Sequence, residues 1–265
     1  MKIPASRWYR AIENRRSRRH FIEETIKSNQ LRRLQSLCND FQPFPSARAV
    51  LVKEPPDDVF SGIVGSYGII RGAKSFIAFI GNMRSQYVQE QVGYTGEGIV
   101  LQAEVMNLNT CWTGGFFRRE TVSSLLDLEK NEQVLAITPI GYAAKEPNFS
   151  EKLITGFGWT HRRKPLSNTV IGLKETEWPK WMKSSLRAAR LAPSAVNRQP
   201  WSFMAEENSI TVAVNDKSLK KESGISKRLD CGIAMLHIEV AALNSGINGQ
   251  WEFLAPPGVA RFKVE

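Results

Sequence analysis

Two stretches of this 265-residue chain share a pattern. GEGIVLQAEVMNLN (96–109) is echoed by DCGIAMLHIEVAALN (230–244), with Glu104-Val105 and Leu108-Asn109 answered by Glu239-Val240 and Leu243-Asn244. Pro-Ser-Ala also occurs twice, at 45–47 and 193–195. Two repeats in the same order imply duplicated halves, each contributing a long central helix. The fold is thereby restricted to one that accommodates two related units.

Periodicity fills in the rest. Helices are predicted over 4–15, 22–41 (Leu31, Leu34 and Leu37 at three-residue spacing), 85–108, 121–128, 178–190 and 226–246. Strands are predicted over 47–53, 75–82, 133–143, 200–205 and 209–214, with a last one at 250–255. Long helices with few strands predict an α+β fold with an antiparallel or mixed sheet.

Composition excludes several classes. Hydrophobic content of 42% and charged content of 23% fit a soluble globular chain. No apolar run reaches the roughly 18 residues of a membrane helix. The start, MKIPASRWYR, lacks the apolar stretch of a secretory signal. Cys38, Cys111 and Cys231 are odd in number and form no CxxC pair, which argues against zinc or a disulfide framework. A cytoplasmic protein is the expectation. The net charge of +10 invites a nucleic-acid reading, but the surplus is spread along the chain. Only RRSRRH (15–20) and HRRK (161–164) are dense, and neither is interleaved with aromatics. A small anionic ligand explains two compact clusters better. There is no Walker loop and no HExxH; GYTGEG (93–98) has the wrong glycine spacing for a dinucleotide fingerprint and reads as helix. His237, between Leu236 and Ile238, reads as a packed residue.

Three stretches remain. RRSRRHF (15–21) puts Arg15, Arg16, Ser17 and Arg19 together at a helix end, which suits a phosphate or a solvated basic terminus. CWTGGF (111–116) carries Thr113 and paired glycines, Gly114 and Gly115, which permit a flat ligand close to backbone amides or merely cap a helix. APSAVNRQPW (192–201) offers small residues, Ser194 and Ala195, and amides, Asn197 and Gln199, matched to the edge of a heterocycle.

Together these stretches resemble the nitroreductase family of FMN enzymes. The pattern RRSxRxF is met by Arg15 to Phe21, PSxxNxQPW by Pro193 to Trp201, and the loop after the long helix by Asn109 to Phe116. Pro139 to Tyr142 (PIGY) and Arg162 to Pro165 (RRKP) complete it. The order departs from the family, because PSxxNxQPW lies about 175 positions after RRSxRxF. Family members are homodimers that build each flavin site from both subunits. The chain therefore resembles a dimer fused by duplication, in a variant branch similar to the TM-type nitroreductases. Residues 1–166 form a first half and 167–265 a shorter second half, interlocked as one unit and monomeric.

The resemblance implies one FMN per chain, with NAD(P)H as co-substrate. Arg15, Arg16 and Ser17 would hold the phosphate and ribityl end, with Arg162 or Arg163 adding charge there. Arg19 would stabilise negative charge at N1–O2. Gly114 and Gly115 would present amides near N5, beside Thr113. Pro193, Ser194, Ala195, Asn197 and Gln199 belong to the turn covering the ring. The implied activity passes electrons to an electron-poor acceptor (nitroaromatic, quinone or enone) by a ping-pong mechanism, and the flavin carries the chemistry. The acceptor pocket would fall to segments such as 54–72 and 215–229, which carry no motif. Alternatives are a protein that binds, senses or degrades flavin without turnover and, more remotely, a basic anion or nucleic-acid binder.

Overall fold

The computed structural model describes residues 1–60, 70–115, 117–144, 162–215 and 224–265. Two amphipathic helices come first. Helix α1 (Ala5–Asn14) buries Trp8, Ala11 and Ile12 on one face, and α2 (Ser28–Asp40) buries Leu34, Leu37 and Cys38. The predicted helix from residue 22 starts at Ser28 instead. Phe21 and Ile22 donate backbone N–H groups to Arg71 and Tyr142 carbonyls, both at 2.9 Å, which holds this stretch extended. Phe21 is buried there, so tertiary pairing overrides the local pattern.

Strands β1 (Ala47–Lys53), β2 (Ser75–Asn82), β3 (Asn109–Thr110) and β4 (Glu132–Gly141) form an antiparallel sheet of order β1-β2-β4-β3. Helix α3 (Val88–Val105) lies between β2 and β3 in sequence, and α4 (Arg119–Ser124) precedes β4. Strand β2 reads SFIAFIGN because both of its faces are covered. Ile77 and Phe79 join the main core, while Phe76, Ala78 and Ile80 join a second cluster with Phe117 and Val122.

The second sheet contains β5 (Val170–Gly172), β6 (Trp201–Glu206), β7 (Ser209–Val214), β8 (Gly249–Phe253) and β9 (Gly258–Val264), in order β5-β6-β7-β9-β8. Strand β5 pairs parallel to β6 and the other pairings are antiparallel. Helix α5 (Lys180–Arg190) precedes β6, and α6 (Lys227–Asn244) follows β7. The chain thus ends on β9 rather than on the predicted strand at 250–255. Without β5, the order β6-β7-β9-β8 is that of the first sheet, β1-β2-β4-β3.

The layers run first sheet, α3, α6, second sheet, with α1 packed on both central helices. Both central helices are buried along nearly their whole length. Two glycines set their separation. A Cβ on Gly93 would lie 2.0 Å from the Leu229 carbonyl oxygen, and one on Gly232 would lie 2.0 Å from that of Glu90. The crossing is reciprocal, with Gly93 answering Gly232 and Glu90 answering Leu229. These pairs are 139 residues apart, whereas the sequence echo (Glu104 with Glu239) has a spacing of 135. The difference of four residues is about one helical turn, so the letters and the packing repeat in adjacent registers.

Candidate functional site

The basic stretch after α1 is fixed through its backbone. Ser17 forms an isolated β-bridge to Thr110, and Arg18 N–H donates to the Thr110 carbonyl at 2.9 Å. The Arg19 carbonyl accepts from Arg71 N–H at 2.9 Å. Strand β3 is thereby shared between RRSRRHF and the loop that follows it. In that loop Thr113 exchanges two backbone hydrogen bonds with Ile137, both 2.9 Å, and its hydroxyl donates to the Cys111 carbonyl. Gly114 and Gly115 lie just past this anchor. A Cβ on Gly114 would come within 3.0 Å of Ile225, so the loop faces the N-terminal approach to α6. Phe116 and His161 lie outside the described residues, as do 61–69 and 216–223 of the segments assigned to an acceptor.

The turn after α5 is tightly constructed. Val196, Asn197 and Gln199 have φ of 50°, 53° and 47°, in the left-handed region that non-glycine residues seldom enter. Such residues persist where their surroundings over-determine them. Ala195 N–H donates to Asp230 Oδ1 at 3.1 Å, and Gln199 N–H to Ser194 Oγ at 2.9 Å. Arg198 pairs with Asp230 Oδ2 at 2.7 Å, and both side chains are buried. Burial pushes the Asp230 carboxyl up to about 6, against the lowering effect of Arg198.

The side-chain amides of this turn serve a purpose that sequence reasoning did not foresee. Asn197 donates to the Arg162 carbonyl at 2.9 Å and accepts from Arg163 Nη1 at 2.8 Å. Gln199 accepts from Lys164 N–H at 2.8 Å and donates to the Arg162 carbonyl at 3.1 Å. Both amides therefore sew residues 162–164 onto the turn. Arg162 is left exposed and Arg163 half-buried, which separates the two arginines that the sequence could not rank. Burial, then the neighbouring charges of Arg15, Arg16 and Arg190, lower Arg163 to about 10. Four guanidinium groups thus converge from α1, from 163 and from the end of α5. Glu104 faces Arg15, Arg16 and Arg18 from α3; burial raises its carboxyl and these cations lower it.

A carboxylate that the sequence did not single out joins two of the three stretches and, through His237, the helix leading into the third. Glu97, buried on α3, accepts from Trp112 Nε1 at 2.7 Å and meets His237 Nε2 at 3.0 Å. Its Oε1 is also 3.9 Å from Arg15 Nε. The other ring nitrogen of His237 lies 2.9 Å from the Ala188 carbonyl, on the helix leading into the turn. His237 is therefore buried, as predicted, but as one half of a polar pair rather than as packing. The available signal was an acid between two glycines in GYTGEG, within a helix buried along nearly its whole length.

One observation tests the site for an anionic ligand. Arg15 Nε is buried with no hydrogen-bond partner among the described residues, in a cluster of like charge. Such a donor fits an acceptor-rich group such as a phosphate or a flavin carbonyl. No group of three or more potential metal ligands occurs among the described residues, and none of their helices is long and apolar enough to cross a membrane.

Two sheets enclosing a buried helix pair define an α+β protein of nitroreductase fold. A solved structure from Thermotoga maritima, described as a putative nitroreductase, has this fold: it covers 97% of this chain and 93% of its own at a TM-score of 0.65 and 19% identity. Residues 7–242 match the family described as "Putative TM nitroreductase", and the chain belongs to that family. A nitroreductase family protein from Clostridium difficile 630 aligns over 60% of this chain and 94% of its own, at TM-score 0.46 and 17% identity. A nitroreductase with bound FMN from Bacteroides fragilis aligns over 53% and 90%, at TM-score 0.42 and 16% identity. No curated protein matches the sequence.

Proposed function

We propose that this protein is an FMN-dependent oxidoreductase with one flavin site per chain, assembled from two duplicated halves, 1–166 and 167–265. The observation that carries it is the gathering of Arg15 and Arg16 with Arg163 and Arg190, with Arg15 Nε buried and without a hydrogen-bond partner among the described residues. Duplication is supported by the matching strand orders and the reciprocal glycine crossing.

Bound FMN would supply the redox chemistry, taking hydride from NAD(P)H and passing electrons to a nitroaromatic, quinone or enone in ping-pong order. The chain's own residues hold and orient. The arginine cluster, with Ser17, neutralises the phosphate. Gly114 and Gly115 offer backbone N–H groups on a loop pinned at Thr113. Arg19 would supply positive charge on the N1–O2 side. The turn Pro193, Ser194, Ala195 would cover the ring from the second half, while Asn197 and Gln199 hold the turn and Arg163 in shape. No side chain is assigned a proton-transfer step. A single chain already supplies both halves, so a monomer is sufficient.

The experiment is a visible spectrum of the purified protein, with FMN quantified after denaturation and bleaching followed on adding NADH or NADPH. About one FMN per chain, bleached by nicotinamide and recoloured by a quinone, is the expected result. A protein that is colourless and does not take up added FMN refutes the reading. A flavin that binds but never bleaches leaves a storage or sensing role.

A further inference from the structure

A cleft of about 470 Å³ opens where the end of α6 meets the turn after α2. Phe41, Pro43, Tyr94, Glu239, Leu243 and Asn248 line it. Its location matches that of the arginine site in the other unit. There the loop after α3 (109–115) and the turn after α5 (191–199) both meet Ile225; here the end of α6 and the turn after α2 line one cleft. The correspondence extends to the tryptophans. Trp112 donates to Glu97 at 2.7 Å and Trp251 donates to Glu239 at 2.7 Å, each seven residues past its central helix. Each carboxylate also meets a side chain from the opposite helix, His237 at Glu97 and Tyr94 at Glu239.

The surroundings of the carboxylate, however, differ. Arginines crowd the first location. At the second, Glu239 Oε2 accepts from two neutral donors, Tyr94 Oη at 2.6 Å and Trp251 Nε1 at 2.7 Å. No hydrogen bond reaches Oε1 and no cation pairs with Glu239 among the described residues. Lys2 and Met1 also line the cleft; both are exposed, and the Met1 terminal ammonium donates to the Asp40 carbonyl at 3.0 Å. Burial raises the Glu239 carboxyl above its ordinary range, while Tyr94 and Trp251 lower it. A ligand bringing a positive charge relieves that burial directly. Around the carboxylate the walls are apolar and aromatic, with Phe41 and Tyr94 rings stacked at 6.5 Å between centroids. A carboxylate beside aromatic and aliphatic walls is complementary to a cation on an apolar body. A flavin phosphate would find no arginine cluster here.

We propose that this cleft binds a small primary ammonium compound, its N–H donors on Glu239 Oε1 and its apolar body against Phe41, Tyr94 and Leu243. Occupation of the cleft does not require the flavin assigned to the other site.

The Trp251 indole N–H reports on the cleft because it rests on Glu239. In the purified protein, with whatever flavin it carries, this resonance is followed in a ¹H–¹⁵N spectrum, assigned with Trp251→Phe. The probe is phenethylammonium, with 2-phenylethanol and phenylacetate as isosteric controls. A saturable shift with the amine alone is expected, weakened about tenfold, or 1.4 kcal/mol, in Glu239→Gln. Ala5→Phe, which narrows the cleft from α1 and leaves Glu239 in place, weakens binding too and serves if the first variant misfolds. Equal binding of the alcohol or the acid, unchanged binding in both variants, or no saturable shift overturns the assignment. Displacement of the amine by added FMN also overturns it. Failure of the flavin assay leaves this result standing, and the reverse holds as well.

Discussion

Replacing Gly93 by alanine tests the helix crossing on which both units depend. Alanine is the better helix former, and in open space the exchange stabilises a helix interior by about 0.5–1 kcal/mol. Here the new Cβ would start 2.0 Å from the Leu229 carbonyl oxygen and must reach at least the 3.4 Å of ordinary contact. The obstacle is backbone, so α3 and α6 must part, opening contacts along two helices that are buried nearly throughout. Overpacking of this kind costs about 3 kcal/mol, which leaves a net loss of about 2 kcal/mol after the propensity gain. Gly232→Ala meets the Glu90 carbonyl at the same distance and should cost the same. The double variant is the sharper measurement, since one separation of the helices accommodates both methyl groups. Its loss should be about 1–2 kcal/mol, since one separation is offset by two propensity gains, well short of the roughly 4 kcal/mol of additivity. Urea unfolding of the four proteins, with slopes compared to confirm a common reaction, gives these numbers. A single variant more stable than the parent, or strict additivity in the double, would show that the helices do not meet as described.

Three further outcomes are expected. Arg163→Ala should weaken FMN binding by about tenfold to a hundredfold, as for a lost charge-assisted hydrogen bond of about 1.5–3 kcal/mol, while Arg162→Ala should not; equal effects in a fluorescence titration would contradict the orientation of the two side chains. Glu97→Ala strands the buried Trp112 N–H and His237 together, so urea unfolding should show a loss of about 3 kcal/mol, with Glu97→Gln falling between it and the parent. Asp230 is raised in the folded state from 3.8 to about 6, so its contribution to stability is full below the lower value and is lost as pH rises through the upper. The stability difference between the parent and Asp230→Asn should accordingly shrink from pH 4 to pH 7 in denaturant titrations; a constant difference would mean that the carboxyl is not shifted.

Much of the architecture was legible because burial leaves periodic traces. The two central helices, the doubly buried strand at 75–82 and the hairpin 201–214 stand where apolar spacing puts them. What escaped did so for physical reasons. The start of α2 was displaced because the backbone of residues 21–22 bonds to Arg71 and Tyr142, partners distant in sequence. Strand β9 was hidden behind Pro256-Pro257-Gly258, a local signal for a turn that says nothing of the seven residues after it. The three motif stretches were found, yet Asn197 and Gln199 show why side-chain chemistry does not name its partner: an amide suited to a heterocycle edge is equally suited to a backbone carbonyl. Glu97 and Arg190 were missed because an acid within a buried helix, or an arginine in a last turn, acquires meaning only from what lies opposite.

The matching strand orders have a genetic consequence. In an assembly of two identical polypeptides each codon change appears at both ends of the two-fold axis, so the ends must remain alike. In this chain Glu239 and Glu97 are encoded separately, and so are the turns after α2 and α5. Selection is then free to act on one end at a time, which is how a frame of near-symmetric packing can carry arginines at one pole and a carboxylate held by neutral donors at the other.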